Sequence, residues 1–75
     1  MNGFPLREIV DRIKKQYPKG MRVELVHMDD PYTHIPPGTQ GTVVCVDDIG
    51  TVFVDWDNGS HLGAAYGADT IRKVI

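Results

Sequence analysis

Apolar positions recur with two different periods along this chain, and the change between them near residue 20 separates a helix from a set of strands. Phe4, Leu6, Ile9, Val10, Ile13 and Tyr17 return at three- and four-residue spacing, while Arg7, Glu8, Asp11, Arg12, Lys14 and Lys15 fill the other side. That spacing predicts an amphipathic helix. Pro5 suits the first turn, where its missing N–H would have no partner. Pro18-Lys19-Gly20 stops the helix, so it is expected over Pro5 to Tyr17.

Beyond Gly20 the pattern shortens to a period of two. Met21 to Met28 places Val23 and Leu25 on one face and Arg22 and Glu24 on the other, as a strand does. Thr42 to Val46 and Thr51 to Trp56 are built from β-branched and aromatic residues and read as the next two strands. Asp47-Asp48-Ile49-Gly50 is the turn between them, and Asp57-Asn58-Gly59 is the next, Asn-Gly being a strong hairpin signal. Ser60 to Leu62 is expected as a short fourth strand, Gly63 to Asp69 as a turn, and Thr70 to Ile75 as the closing strand. Asp29 to Gln40 is the longest irregular piece, and long loops in small domains are disproportionately binding loops.

Five short strands with a long first loop describe a small SH3-like barrel. The expected class is therefore mostly β with one α-helix: residues 1–18 a helical segment, residues 21–75 the barrel, together a single domain. The second and third strands are apolar on both faces, with Val43 and Cys45 opposing Val44 and Val46, and Phe53 opposing Val52 and Val54. A strand apolar on both faces has both faces covered. One face is assigned to the barrel interior and the other, with Phe53, to the N-terminal helix, so that removing residues 1–17 is expected to unfold or aggregate the barrel.

Composition narrows the class. Hydrophobic residues make up 41 % of the 75, with both charge signs interspersed, which suits a soluble globular domain. No stretch is long and apolar enough for a membrane helix, and the N-terminus lacks the order of a signal peptide, so a cytoplasmic protein is expected. The single cysteine, Cys45, has no internal partner; inside an apolar strand it reads as a buried structural thiol. Ten acidic residues stand against eight basic ones. Arg7, Arg12, Lys14, Lys15 and Lys19 crowd the first twenty positions, and aspartates dominate the rest. This acidic balance speaks against non-specific nucleic-acid binding.

Candidate chemistry is sparse. His27, His34 and His61 lie far apart with no Cys-x-x-Cys or His-x-x-x-His pattern, so no metal site is expected. Asp47-Asp48 reads as a turn pair, whereas Asp29-Asp30 enters the long loop and leaves room for a binding role. Trp56 shares parity with Val52 and Val54 and so belongs to the core; the alternative places its ring beside the long loop, as one wall of a groove. Tyr32 in that loop and Tyr66 before the last strand have better claims to exposure. Asp30, Tyr32, His34, Trp56 and Tyr66 are the candidate binding residues, on the expectation that the first loop and the last turn approach each other. The alternative is that the tyrosines only hold loops in place. Gly63 and Gly67 do not fit a phosphate-loop pattern. With no catalytic constellation and no cofactor signature, an enzyme is not expected.

Over its whole length, from Asn2-Gly3-Phe4-Pro5 through Tyr17-Pro18-Lys19-Gly20, Met28-Asp29-Asp30-Pro31, "PPGTQGTV", "VDDIG" and "WDNGS" to Tyr66-Gly67-Ala68-Asp69, the chain resembles domain-of-unknown-function family 4314. The resemblance implies a small protein of Gram-positive bacteria, their phages and mobile elements, and no particular activity. More weakly, Gly20-Met21-Arg22-Val23, "GTV", "VDWDNG" and Tyr66-Gly67 are similar to the peptide-binding repeat of the Mind bomb class of ubiquitin ligases, which implies an SH3-like barrel. The leading expectation is a binding module for a protein or peptide partner. Two alternatives stand beside it: a counter-defence protein that sequesters a small nucleotide signal as an oligomer, and nucleic-acid binding through the basic helix.

Overall fold

The predicted helix forms from Arg7 to Gln16 as α1, in a computed structural model that describes residues 6–29 and 35–74. Leu6 caps it with its carbonyl, which accepts from the N–H groups of Ile9 and Val10 at 2.9 and 3.1 Å. Glu8 in the first turn and Lys14 and Lys15 in the last suit the helix dipole. At the far end Tyr17 N–H donates to the Ile13 carbonyl and Met21 N–H to that of Pro18, with Gly20 at a φ of 91° turning the chain into the first strand.

Five strands follow: β1 Arg22–His27, β2 Gln40–Val46, β3 Val52–Trp56, β4 Gly63–Ala64 and β5 Thr70–Lys73. They form one antiparallel sheet in the order β4-β3-β2-β1-β5. The protein is thus mostly β with one helix. Four strands fall close to where the hydrophobic pattern puts them. The fourth does not: Ser60–Leu62 is the returning limb of the Asn58-Gly59 turn, and pairing resumes only at Gly63 and Ala64, opposite Phe53 and Val52. Trp56 N–H donates to the Ser60 carbonyl and Ser60 N–H to Asn58 Oδ1, so this limb is held by turn bonds.

The turn between β2 and β3 rests on one side chain. Asp47 Oδ1 accepts from the N–H groups of Ile49 and Thr51, at 3.0 and 2.8 Å, and Gly50 takes a φ of 84°. This is the aspartate turn that the sequence suggests; Asp48 instead faces Lys14 of the helix at 3.4 Å.

Val23 and Leu25 of β1, Val43 of β2, and Val52, Val54 and Trp56 of β3 meet in a single core with Ile35. Ile13 of α1 enters the same cluster, and Ile9 and Tyr17 flank it. The helix therefore covers the interior side of the sheet, not its outer side. This corrects the expectation drawn from the doubly apolar strands: Phe53 and Val44, 36 and 39 % accessible, face solvent. Phe53 points outward by the plain alternation of β3, and in β2 the second apolar face comes from a bulge. Val43 pairs with Val54 and Cys45 with Phe53, leaving Val44 as an extra residue in β2. Beyond it the parity reverses, so that Val46 turns inward opposite Val52 and Cys45 turns outward. Cys45 is accordingly exposed, not buried as its neighbours suggest.

Gly41 shows how tightly the interior closes. A Cβ there would lie 2.5 Å from Val54 Cγ1 and 2.7 Å from the Asp55 carbonyl. Val23, Leu25, Val43 and Val54, the largest side chains fully removed from solvent among the described residues, each contribute about 1.5–3 kcal/mol of transfer free energy.

Candidate functional site

The C-terminal end of α1 and the connection from β4 to β5 stand apart over one end of the core and leave an open cleft of about 330 Å³ between them. Ile13 and Tyr17 form the helix wall, Val52 and Ile71 contribute from the sheet, and Tyr66 and Thr70 form the opposite side. The helix supplies its wall because Ile13 and Tyr17 are four residues apart and so share a face. Tyr66 is 52 % accessible, the most exposed of the Phe, Tyr and Trp rings among the described residues. Its phenol combines an apolar ring with a polar tip, the combination suited to a partly wet contact.

Asp69 organises this side of the cleft. Its Oδ2 accepts from Ala65 N–H at 2.8 Å, while the Ala65 carbonyl accepts from the N–H groups of Ala68 and Asp69. Gly67, at a φ of 83°, permits the reversal. The other oxygen, Oδ1, accepts from Asp29 N–H at 2.8 Å. One carboxylate therefore both closes the Tyr66 turn and fastens the first residue of the long loop to it, across 40 positions of sequence.

Trp56 takes no part in the cleft. It is 3 % accessible, and its indole Nε1–H donates to the Leu62 carbonyl at 2.9 Å. Of the two readings that its sequence position left open, the structure shows the core one. Asp30, Tyr32 and His34 lie outside the described residues. Of the candidate binding residues within them, Tyr66 lines the cleft and Trp56 belongs to the core. Sequence reasoning passed over Tyr17, which it counted only toward the helix stripe, and Asp69, which it placed at the end of a turn without a binding role. The signal for Asp69 is an aspartate two residues beyond a glycine at a turn, a position from which its carboxylate can accept backbone N–H groups.

Elsewhere the charges pair on the surface. Arg22 donates from Nη1 to Asp57 Oδ1 at 2.9 Å and from Nη2 to Asp57 Oδ2, and also reaches Thr42 Oγ1 at 3.0 Å. The paired hydrogen bonds hold the Asp57 carboxyl below the usual carboxylate range and raise the Arg22 guanidinium above its ordinary value. His61 Nδ1 sits 2.7 Å from Asp55 Oδ1. Among the described residues no group of three or more His, Cys, Asp or Glu side chains is placed to hold a metal ion. Nor is any helix of them long and apolar enough to cross a membrane.

Comparison with known proteins gives one match. The family model described as "Domain of unknown function (DUF4314)" matches residues 6–74, nearly the whole chain. No curated protein and no solved structure matches.

Proposed function

We propose that this chain, which belongs to the domain-of-unknown-function family DUF4314, is a non-enzymatic binding module that holds a protein or peptide partner in the cleft between α1 and the Tyr66 turn. The observation that carries this reading is the half-exposed Tyr66 ring at the mouth of an apolar-walled cleft. A volume of about 330 Å³ lies at the small end of ligand sites. It accommodates one or two side chains of a peptide more readily than a large cofactor. The Asp69 bonds to Asp29 and Ala65 bring the start of the long loop to the same side, which supports a binding surface shared by loop and turn.

The strand order β4-β3-β2-β1-β5 supports the SH3-like barrel as the framework, in which the two outer strands approach each other around the core. A cytoplasmic role in a phage or mobile element of a Gram-positive bacterium fits the family resemblance. The surface charge supports a protein partner over a phosphate backbone, since the helix cations are offset by ten acidic residues in the chain.

The test is affinity capture from a host lysate with wild-type protein and with Tyr66→Ala, followed by titration of the captured partner. Tyr66→Ala is expected to weaken binding at least tenfold, as loss of a central aromatic contact does, while its unfolding midpoint stays near wild type because the ring is half in solvent. Equal affinity for both proteins places the site elsewhere. A small molecule retained in native mass spectrometry, with no protein partner, replaces this reading with ligand sequestration.

A further inference from the structure

The cleft between α1 and the Tyr66 turn carries a charge that its walls do not balance. Asp69 is the only charged residue among those that line it. Its carboxylate oxygens accept from Asp29 N–H and Ala65 N–H, and both donors are neutral. Each oxygen keeps a further lone pair, and the negative charge stays in place. Elsewhere on the surface Glu24, Asp48 and Asp57 have Arg72, Lys14 and Arg22 as counterions. Asp69 forms no such ion pair among the described residues.

Two neighbours deepen the negative potential. The bond from Asp29 N–H brings a second acidic residue to the same side. Across the cleft, Ile13, Gln16 and Tyr17 line it from the C-terminal end of α1, where the helix dipole is negative. Lys14 and Lys15 share that last turn, but neither lines the cleft, and Lys14 is drawn to Asp48 at 3.4 Å.

Resting on the reading that this cleft holds a peptide, we infer that the side chain it receives is cationic, an arginine or a lysine of the partner. Charge selects this occupant over the others. An apolar side chain seated there would strip water from a carboxylate that has no counterion, which costs more than the burial of a few methylenes recovers. An acidic side chain or a phosphate would add like charge close to Asp69 and Asp29. A basic side chain meets each wall with the part that suits it. Its aliphatic stem lies along Ile13, Val52 and Ile71, as long cations do over apolar surface. Its head donates to the unused lone pairs of Asp69, and the Tyr17 and Tyr66 rings offer it a π face. A planar guanidinium stacks and donates at once, so arginine is the stronger of the two.

A phage-displayed library of random short peptides, panned on the full chain, supplies probes without assuming their sequence. Synthetic copies of the enriched peptides are then placed by amide chemical-shift changes in isotope-labelled protein. Peptides that move the amides of Tyr17, Tyr66 and Asp69 are expected to share an arginine or a lysine. Replacing that residue by its uncharged counterpart, citrulline for arginine or acetyl-lysine for lysine, should weaken binding at least tenfold, as loss of a charge-assisted hydrogen bond does. This exchange is made in the peptide, so the fold of the protein is untouched. In the protein, Asp69→Asn should abolish the preference for the charged peptide over the uncharged one. Because Asp69 also holds its turn, Gln16→Lys is the second variant: it places a cation on the exposed helix wall of the cleft and should weaken the charged peptide several-fold while sparing the uncharged one. Cleft-bound peptides that lack a basic residue, or that bind equally well once it is uncharged, overturn this inference and leave the peptide-binding reading standing. So does a charged peptide that binds both variants as it binds wild type. A screen in which no enriched peptide moves Tyr17, Tyr66 or Asp69 overturns both.

Discussion

Replacing Trp56 by Phe separates the two roles that a lone tryptophan beside a binding loop can play. In the structure its indole is 3 % accessible, and its N–H donates to the Leu62 carbonyl at 2.9 Å. Phenylalanine keeps a ring in the core but removes about three heavy atoms, which at ~0.8 kcal/mol per buried methylene equivalent amounts to about 2 kcal/mol. Loss of the hydrogen bond adds about 1 kcal/mol and no more, because Leu62 is 40 % accessible and water can satisfy its carbonyl. The expected destabilisation is therefore about 3 kcal/mol. A domain of this size has a total stability of only about 4–11 kcal/mol, so the change is large. At ~4–8 °C per kcal/mol, the melting temperature should fall by more than about 10 °C. Urea unfolding followed by circular dichroism is the assay, since the substitution removes the only tryptophan and with it the usual fluorescence signal. A destabilisation below about 0.5 kcal/mol, well under the hydrogen-bond and burial terms, would refute the buried, hydrogen-bonded placement of the ring and return Trp56 to the groove.

Three further outcomes follow from single contacts. Gly41→Ala forces a Cβ to within 2.7 Å of the Asp55 carbonyl, and because backbone cannot swing aside as a side chain can, a loss of about 2–3 kcal/mol is expected in urea unfolding; an unchanged midpoint would show that β2 and β3 can separate freely. Asp69→Ala removes both bonds that tie Ala65 and Asp29 together and should cost about 1–3 kcal/mol, with faster amide exchange at residues 65–69 and at Asp29; protection equal to wild type would mean that the carboxylate does not organise the turn. Asp57 is held below the usual carboxylate range by Arg22, so the stability it contributes is fully present above its unfolded value of about 4 and disappears as pH falls through its lower folded value. Asp57→Asn should accordingly differ from wild type in neutral solution and converge with it in acid, which unfolding curves from neutral pH down into acid will show.

Several parts of this molecule are legible in local sequence because local chemistry decides them. The spacing of Ile9, Val10, Ile13 and Tyr17 places α1 within two residues at its start and one at its end. Asp47 with Gly50, and Asn58 with Gly59, mark two turns whose side-chain bonds span no more than four residues. Val23 with Leu25, and Val52 with Val54 and Trp56, alternate as half-buried strands do, and all five are buried. Tyr66 is recognisable as an exposed ring because glycine, alanine and aspartate surround it.

What tertiary structure alone decides is which surfaces meet. Alternation along β2 implies that Val43 and Cys45 share a face, yet one extra residue at Val44 reverses the parity and turns the thiol out. A bulge depends on the partner strand's register, which β2 does not encode by itself. The apolar pattern shows that β2 and β3 have two apolar faces but not which one the helix takes; Ile13 packs on the interior, and Phe53 is left to solvent. β4 begins at Gly63 and not at Ser60 because pairing must await a residue that reaches Phe53, and its small size accommodates that ring. The cleft belongs to the same class, since Tyr17 at the end of the helix and Tyr66 in the connection from β4 to β5 line it from distant parts of the chain. Periodicity reports what each residue's neighbours in sequence allow, whereas faces, edges and clefts are properties of residues brought together from distant parts of the chain, and those are chosen by packing.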